Sequence, residues 1–326
     1  MTAQASDKLI TIIGGSGFLG RHIVRALARR GYRIRVACRR PDLAGHVQPL
    51  GNVGQIMPVQ ANVRYPASLA AACEGAYAVV NLTGVLYSGS AQSFDAIHAF
   101  GAEASAKAAK AAGAKVFIQM SALGADADSR SDYARTKAEG EARARAAFPG
   151  AIVLRPSVVF GPEDGFFNRF AALSRFSPVL PLIGGGETKF APVFVGDVAE
   201  AVARLIDKGQ ADGRSYELGG PEVFSFRQLM EFTLDTIGRS RLLVPVPWLA
   251  AKLQAAVLGL LPHPLLTIDQ VELLKSDNVV SAKAAAEGRT LEGLGIASRG
   301  IEAIVPSYLY RYRKAGQFTA PKGIPE

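Results

Sequence analysis

The stretch Leu9-Ile10-Thr11-Ile12-Ile13-Gly14-Gly15-Ser16-Gly17-Phe18-Leu19-Gly20 decides the fold: a short apolar strand runs directly into glycines at 14, 17 and 20, and a helical pattern follows over 21–30. The first glycine of such a series permits a tight turn, the second lets backbone approach a pyrophosphate, and the third lets the helix pack on the strand. The helix start offers unpaired N–H groups and the positive end of a dipole to phosphate. A strand before the glycines and a helix after them make this a dinucleotide-binding fingerprint rather than a packing turn. Its expected contacts are Gly14, Ser16, Gly17, Phe18 and Leu19.

The next strand, 32–38, ends in Arg39-Arg40, where an NAD-selective site would place an Asp or Glu on the ribose hydroxyls. Two guanidiniums suit a 2′-phosphate, because the planar fork matches phosphate oxygens and stays charged at any working pH. The expected nucleotide is therefore NADP(H).

Strand and helix patterns then alternate: strand 56–59, helix 67–72, strand 76–82, an alanine-rich helix over 94–112 and strand 115–120. Repeated βαβ units of these lengths predict an α/β fold, a Rossmann-type doubly wound parallel sheet with ligands at the carboxyl ends of its strands. At those ends stand Asn62-Val63, Leu82-Thr83-Gly84 and Ser121. Tyr133 and Lys137 follow at i and i+4, on one face of a starting helix. A phenol exchanges protons poorly at neutral pH unless a cation stabilises phenolate, and an ammonium one helical turn away does so while reaching a nicotinamide ribose. Tyr133 is the expected acid/base, Lys137 its tuner and Ser121 the hydroxyl nearest to them; Ala122, Leu123 and Gly124 offer no further hydroxyl.

Beyond a helix at 137–147 and a strand at 152–154, the pattern predicts a helix at 165–176 and a strand at 192–195. Asp197 and Glu200 read as a capping box for helix 198–206, and Ser225 and Gln228 as one for helix 226–237, with strand 216–219 between them. The expected division is a dinucleotide-binding core, 1–162, to which 191–220 return, and a smaller, mostly helical substrate or partner lobe of 163–190 and 221–326.

With 326 residues and 49% apolar content, the chain has ample material for a large core. Cys38 and Cys73 are not at disulfide-framework spacing, and His22, His46, His98 and His263 form no metal-ligand cluster, so free thiols and no metal are expected. The polar first residues lack a signal h-region, and the longest apolar stretch, 242–266, is interrupted by Lys252 and prolines, so neither export nor a spanning helix is expected. A net charge of +9 suits an anionic lipid or acidic protein surface; no aromatic-interleaved basic motif points to nucleic acid. The segments 247–262, with one tryptophan and one lysine, and 308–314, rich in Tyr and Arg, read as candidate interfacial elements.

The glycine loop, Arg39-Arg40, Tyr133-x-x-x-Lys137 and Leu154-Arg155-Pro156-Ser157-Val158-Val159-Phe160-Gly161-Pro162-Glu163-Asp164-Gly165-Phe166-Phe167-Asn168-Arg169-Phe170 together resemble the atypical, extended short-chain dehydrogenases, which are NAD-dependent epimerase/dehydratase-like. Within them the chain is similar to the branch containing the dehydrogenase-like accessory subunit of respiratory complex I and its bacterial relatives, a similarity that extends to Tyr216-Glu217-Leu218-Gly219-Gly220-Pro221 and Pro306-Ser307-Tyr308-Leu309. The resemblance implies that Asn62 and Val63 lie against adenine, and that Pro156 and Val158 belong to the loop closing over the nicotinamide. It also implies a tightly held NADPH, used to stabilise the subunit and its docking near quinone-binding machinery, or a link to ubiquinone biosynthesis. The expected partner is a membrane-associated respiratory or quinone-biosynthesis protein, and the expected location is cytoplasmic, including a peripheral position on the inner face of the membrane. The alternative is an active NADP-dependent oxidoreductase or epimerase using Tyr133 and Lys137 on a quinone precursor, a sugar nucleotide or another carbonyl compound.

Overall fold

The apolar residues that follow Lys8 form the middle of a parallel sheet, with Ile10, Ile12 and Ile13 all buried. The computed structural model describes residues 6–89, 92–259, 261, 264 and 266–314. Its principal elements are β1 (Ser6–Ile13), α1 (Phe18–Ala28), β2 (Tyr32–Cys38), β3 (Ile56–Gln60), α2 (Pro66–Cys73), β4 (Ala78–Asn81), α3 (Phe100–Ala111), β5 (Val116–Met120), α4 (Asp132–Ala147), β6 (Ile152–Pro156), β7 (Val159–Phe160), α5 (Phe167–Phe176), β8 (Val179–Ile183), β9 (Lys189–Phe190), β10 (Val193–Phe194), α6 (Val195–Lys208), β11 (Ser215–Leu218), β12 (Phe224–Ser225), α7 (Phe226–Thr236), β13 (Leu242–Val246) and α8 (Trp248–Leu258). The chain divides into two units: Met1–Pro156, Gly196–Leu218 and Ser281–Ile296 form one, and Ser157–Val195, Gly219–Val280 and Ala297–Glu326 the other. The segment Ser281–Ile296 thus counts with the first unit, where the sequence reading assigned all of 221–326 to the smaller lobe.

In the first unit seven strands run in the order β11-β6-β5-β4-β1-β2-β3, every pair parallel. Strands covered on both faces become continuous apolar runs, as in Val116-Phe117-Ile118 and Ile152-Val153-Leu154, all fully buried. Strand order reverses between β1 and β4, which opens a crevice at their carboxyl ends. The alanine richness of α3 has a packing cause. A Cβ on Gly140 of α4 would fall 2.2 Å from the His98 carbonyl oxygen and 3.4 Å from the Ala102 Cβ, so small residues let the two segments come this close. Arg30, at the end of α1, donates to Glu200 (2.7 Å) and Asp207 (2.9 Å) of α6, and the Tyr32 hydroxyl donates to Asp207 (2.7 Å).

The second unit is built on phenylalanine. Phe160, Phe167, Phe190 and Phe226 are buried together, with Phe166 and Phe170 meeting their neighbours edge to face. Asp164 explains part of the stretch read as family-specific: its buried carboxylate accepts from the backbone N–H groups of Gly161 (3.2 Å), Phe166 (3.0 Å) and Asn168 (3.1 Å) and from the Tyr308 hydroxyl (2.5 Å).

Several sequence expectations change in detail. Helix α1 begins at Phe18, inside the glycine loop, and the expected helix 94–112 opens with a π-helical turn, Asp95–Ala99, before α3. Asp197 and Glu200 are not a capping box: α6 already starts at Val195, Asp197 lies buried within its first turn, and Glu200 pairs with Arg30 and Arg204. The box of Ser225 and Gln228 is formed. Part of 308–314 is interior: Tyr308 and Leu309 are buried, and Arg311 and Tyr312 both donate to the Asn168 side chain. On α8, Leu249, Leu253 and Val257 are exposed; Leu260, Pro262 and His263 of that apolar stretch lie outside the described residues. Among the described residues no helix is long and apolar enough to cross a membrane.

The third glycine is the tightest point of the nucleotide-facing turn, since a Cβ on Gly20 would stand 2.5 Å from the Gly15 carbonyl oxygen. Gly20→Ala is expected to lower the unfolding free energy by about 1–3 kcal/mol through overpacking, against the ~1 kcal/mol by which alanine is otherwise favoured in a helix. Urea denaturation reads this directly, and unchanged or raised stability would show that the loop yields.

Candidate functional site

A cleft of ≈ 380 Å³ lies at the carboxyl ends of β1, β2, β3 and β4. Gly14 turns the chain with φ 81° and donates to the Ala37 carbonyl (2.8 Å), while Gly17 donates back to Gly14 (3.2 Å). Gly17 is the N-cap of α1 and supplies no side-chain cap, and the first turn holds no acidic residue, so the amino end of this helix keeps its N–H groups and positive charge for an anion. A Cβ on Gly17 would meet only the Gly14 carbonyl oxygen, at 3.5 Å; the space beyond is not filled by protein. His46 lies between the carbonyls of Ser16 (Nε2, 3.1 Å) and Leu43 (Nδ1, 3.2 Å), tying the loop after β2 to the glycine turn.

Of the expected binding residues, Gly14, Ser16, Gly17, Phe18, Leu19, Arg39, Asn62, Val63, Leu82, Thr83 and Gly84 line this cleft. Arg40 does not. Its guanidinium is held by Asp42 through Nη2–Oδ2 (2.8 Å) and Nε–Oδ1 (3.1 Å), which lowers the Asp42 carboxyl below its ordinary range by hydrogen bonding first of all. Arg64 joins Arg39 on the lining, and no carboxylate does so among the described residues. Pro156 ends β6, its carbonyl accepting from Leu123 (2.9 Å); Val158 belongs to the second unit, where its carbonyl accepts from Val193 (2.9 Å).

Two buried amides set the floor where β4 and β5 pair. Asn81 donates to Gln119 (2.9 Å) and accepts from both the backbone N–H (3.2 Å) and the hydroxyl (2.7 Å) of Thr83, fixing the loop that carries Leu82, Thr83 and Gly84. Gln119 in turn donates to the Met120 carbonyl (3.1 Å). That carbonyl also accepts from Lys137 Nζ (3.4 Å), whose ammonium stands 5.7 Å from the Tyr133 ring centre. Burial lowers Lys137 to about 8, with Glu141 pulling the other way. A Cβ on Gly84 would stand 3.2 Å from Lys137 Nζ, so a glycine at this rim leaves room for the ammonium behind it; Lys137, Tyr133 and Ser121 are not among the residues that line the cleft. Ser121 follows Met120, and its buried Oγ has no hydrogen-bond partner among the described residues.

His98, in the π-helical turn, joins these parts. Its Nε2 accepts from the Val85 N–H (3.1 Å), which leaves the proton on Nδ1 to donate to Thr136 Oγ1 (3.0 Å); Thr136 donates onward to the Asp132 carbonyl (2.7 Å). The ring stacks on Phe94 and meets Tyr133 edge to face at 5.3 Å. Burial, with the Lys137 charge as the second cause, pushes the imidazole down to about 3 and keeps it neutral.

Residues 10–219 match the model of the NAD dependent epimerase/dehydratase family. The chain belongs to that family. As an epimerase/dehydratase member it is 35% identical to the mitochondrial NADH dehydrogenase (ubiquinone) 1 alpha subcomplex subunit 9 of Arabidopsis thaliana, over 96% of this chain and 80% of that one. It is 30% identical to the Rattus norvegicus subunit of the same name, over 95% and 82%. A ceramide reductase of Caulobacter vibrioides is 36% identical over 61% of this chain and 60% of its own. Among solved structures, the NADPH-dependent quinone oxidoreductase of Escherichia coli complexed with NADPH shares the fold with a TM-score of 0.72 at 22% identity, over 92% of this chain and 99% of that one.

Reading the epimerase/dehydratase motifs alone misses Arg64, Val85, Gln92 and Ile97 on the cleft and His98 behind it. Arg64 has a legible signal, a second guanidinium immediately after the expected adenine contacts. His98 has a weaker one, a lone histidine in the alanine-rich pattern 94–112. Because the native state holds His98 near 3 against an ordinary 6.5, the unfolded chain takes up this proton first, and the stability that neutral His98 supports falls as pH drops from 6.5 toward 3. His98→Gln is expected to be less stable at neutral pH yet to lose less on acidification. Urea midpoints measured across that range test it; parallel profiles would mean that native His98 takes up the proton.

Proposed function

We propose that this protein holds NADPH as a resident nucleotide and acts as an accessory or assembly subunit for membrane respiratory machinery of the complex I type, or for ubiquinone metabolism. The observation that carries this reading is the 35% identity, over nearly the whole chain, to a complex I subunit. The cleft supports the nucleotide: the space at Gly17 and the uncapped amino end of α1 suit a phosphate-bearing ligand. Backbone of Gly14 through Leu19 would hold the pyrophosphate, Asn62 and Val63 the adenine, and Arg39 the 2′-phosphate, with Arg64 as a second cation. Tyr133 and Lys137 would hold the nicotinamide ribose. Bound there, the nicotinamide supplies or accepts a hydride.

A second reading, an active NADP-dependent oxidoreductase for an apolar carbonyl compound or quinone, is favoured by the same acid/base group. An ammonium lowered to about 8 beside a phenol exchanges protons near neutrality, and Ser121 Oγ is available to hold a carbonyl oxygen. The similarity to a ceramide reductase over 61% of the chain points the same way. The two readings part on one experiment, in which quinones and long-chain carbonyl compounds are added to the native NADPH complex while its reduced-nicotinamide fluorescence is followed. The accessory reading expects the signal to persist. Rapid oxidation by one compound class, abolished in Tyr133→Phe and Lys137→Ala, would replace it with the enzyme reading.

The 2′-phosphate assignment rests first on Arg39, because Arg40 lies off the cleft and pairs with Asp42. Arg39→Asp is expected to weaken NADPH about 10- to 100-fold, the range of a charge-assisted hydrogen bond, while NADH affinity changes little and Arg40→Ala leaves NADPH affinity close to wild type. Fluorescence titration of the apoprotein measures all three; full NADPH affinity in Arg39→Asp would remove the assignment.

A further inference from the structure

The second unit carries a group of arginines that its own carboxylates do not neutralise. Arg175 ends α5, Arg239 and Arg241 lie in the turn before β13, and Arg313 follows the last helical turn. None of the four forms an ion pair among the described residues. Three of them grip backbone through one edge of the guanidinium: Arg239 Nε donates to Tyr312 (3.1 Å), Arg241 Nε to Ser174 (2.8 Å) and Arg313 Nε to Thr236 (3.0 Å). Arg241 and Arg313 thus meet the last-turn carbonyls of α5 and α7, an ordinary use of arginine at a helix carboxyl end. That use occupies one N–H of each. Both Nη groups of Arg239 and of Arg313 have no partner among the described residues, and Arg241 spends one more N–H on Ser240 (2.9 Å). The charges are close enough to act on one another: burial first, then Arg241 and Arg175, hold the Arg239 guanidinium below its ordinary value.

Capping also leaves the apolar part of this surface unexplained. Phe176, with the Arg175 guanidinium 5.6 Å from its ring centre, is 84% exposed. Leu242 is 69% exposed beside it, its N–H bonded to the Pro178 carbonyl (3.1 Å). An uncovered ring and an aliphatic side chain amid guanidiniums that are held at one edge and keep N–H groups to spare match an interfacial anchor, in which the ring enters the headgroup layer and the cations meet phosphodiester oxygens.

The geometry points to a membrane-docking site formed by Arg175, Phe176, Arg239, Arg241 and Leu242, with Arg313 at its edge, that takes the phosphate headgroups of an anionic bilayer. It rests on the reading of the protein as a subunit working at a membrane, and names the surface that faces it. It also takes the lipid contact off most of 308–314, leaving Arg313 at the edge, because Tyr308, Arg311 and Tyr312 are engaged by Asp164 and Asn168. An acidic protein segment is the competing occupant, favoured by the same charges but not by the exposed ring.

Co-sedimentation of the full chain, with its nucleotide, on vesicles of phosphatidylcholine alone and of phosphatidylcholine with phosphatidylglycerol is the test. Wild type is expected to bind the mixed vesicles, to release with rising salt and to ignore phosphatidylcholine. Arg175→Glu is expected to weaken binding by more than about 10-fold, at roughly five-fold per basic charge near the surface, and Phe176→Ser to weaken it while leaving the salt dependence intact. Neither side chain makes an internal hydrogen bond that the fold requires, and a thermal melt of each variant verifies this. Leu253→Ser, on the exposed face of α8, is expected to bind like wild type. Absence of wild-type binding, equal binding by Arg175→Glu, control by Leu253 instead, or salt-sensitive capture of soluble polyglutamate without vesicle binding would each overturn the proposal. Nucleotide content is measured on the same samples. Loss of vesicle binding with NADPH retained refutes the docking surface alone, and vesicle binding without any NADPH refutes the nucleotide reading alone.

Discussion

The arrangement depends on one close approach, that of Gly20 in α1 to the backbone of Gly15 in the turn after β1. No side chain fits there, since a Cβ would stand 2.5 Å from the Gly15 carbonyl oxygen. The contact brings the amino end of α1 under the carboxyl end of β1, at the place where strand order reverses and the sheet cannot close over its own edge. The cleft at the carboxyl ends of these strands follows from that placement, and the first turn of α1, with no acid in it, turns its positive end toward the cleft.

Around this point the molecule keeps two electrostatic environments apart. The cleft displays Arg39 and Arg64 without a lining carboxylate, while behind Gly84 and Val85 the groups are driven toward neutrality by burial. His98 holds its imidazole neutral so that Nε2 can accept from Val85 and Nδ1 can donate to Thr136, joining the loop after β4 to the helix that carries Tyr133 and Lys137. The π-helical turn gives this ring its position, and the wide turn is accommodated because Gly140 lets α4 approach the His98 carbonyl. A site built this way can hold a nucleotide firmly whether or not it turns over, which is why the fold alone does not decide between subunit and enzyme.

Much of this was legible in the chain because the physical causes are local. A strand, three glycines and a helix need only neighbouring residues to specify them, as do the parallel strands with their continuous apolar runs and the reciprocal box of Ser225 and Gln228. What was not legible depended on where elements begin and on which groups they bring together. Arg39 and Arg40 are equivalent as letters, and only the three-residue turn that brings Asp42 onto Arg40 separates them. Asp197 resembles a cap until α6 is seen to begin at Val195. The Tyr- and Arg-rich end looks like a surface segment, yet the buried carboxylate of Asp164 draws Tyr308 inward from 144 positions away. His98 carried little signal because its importance lies in bridging a loop and a helix that the sequence does not place together.

The central claim is that the cleft holds NADPH as a resident group. The most direct measurement is to purify the protein without added nucleotide, denature it, and identify and quantify the dinucleotide released. The account predicts NADPH close to one equivalent per chain. Release of NADH or NAD, or of no dinucleotide from a folded protein that also fails to take up NADPH, would contradict it.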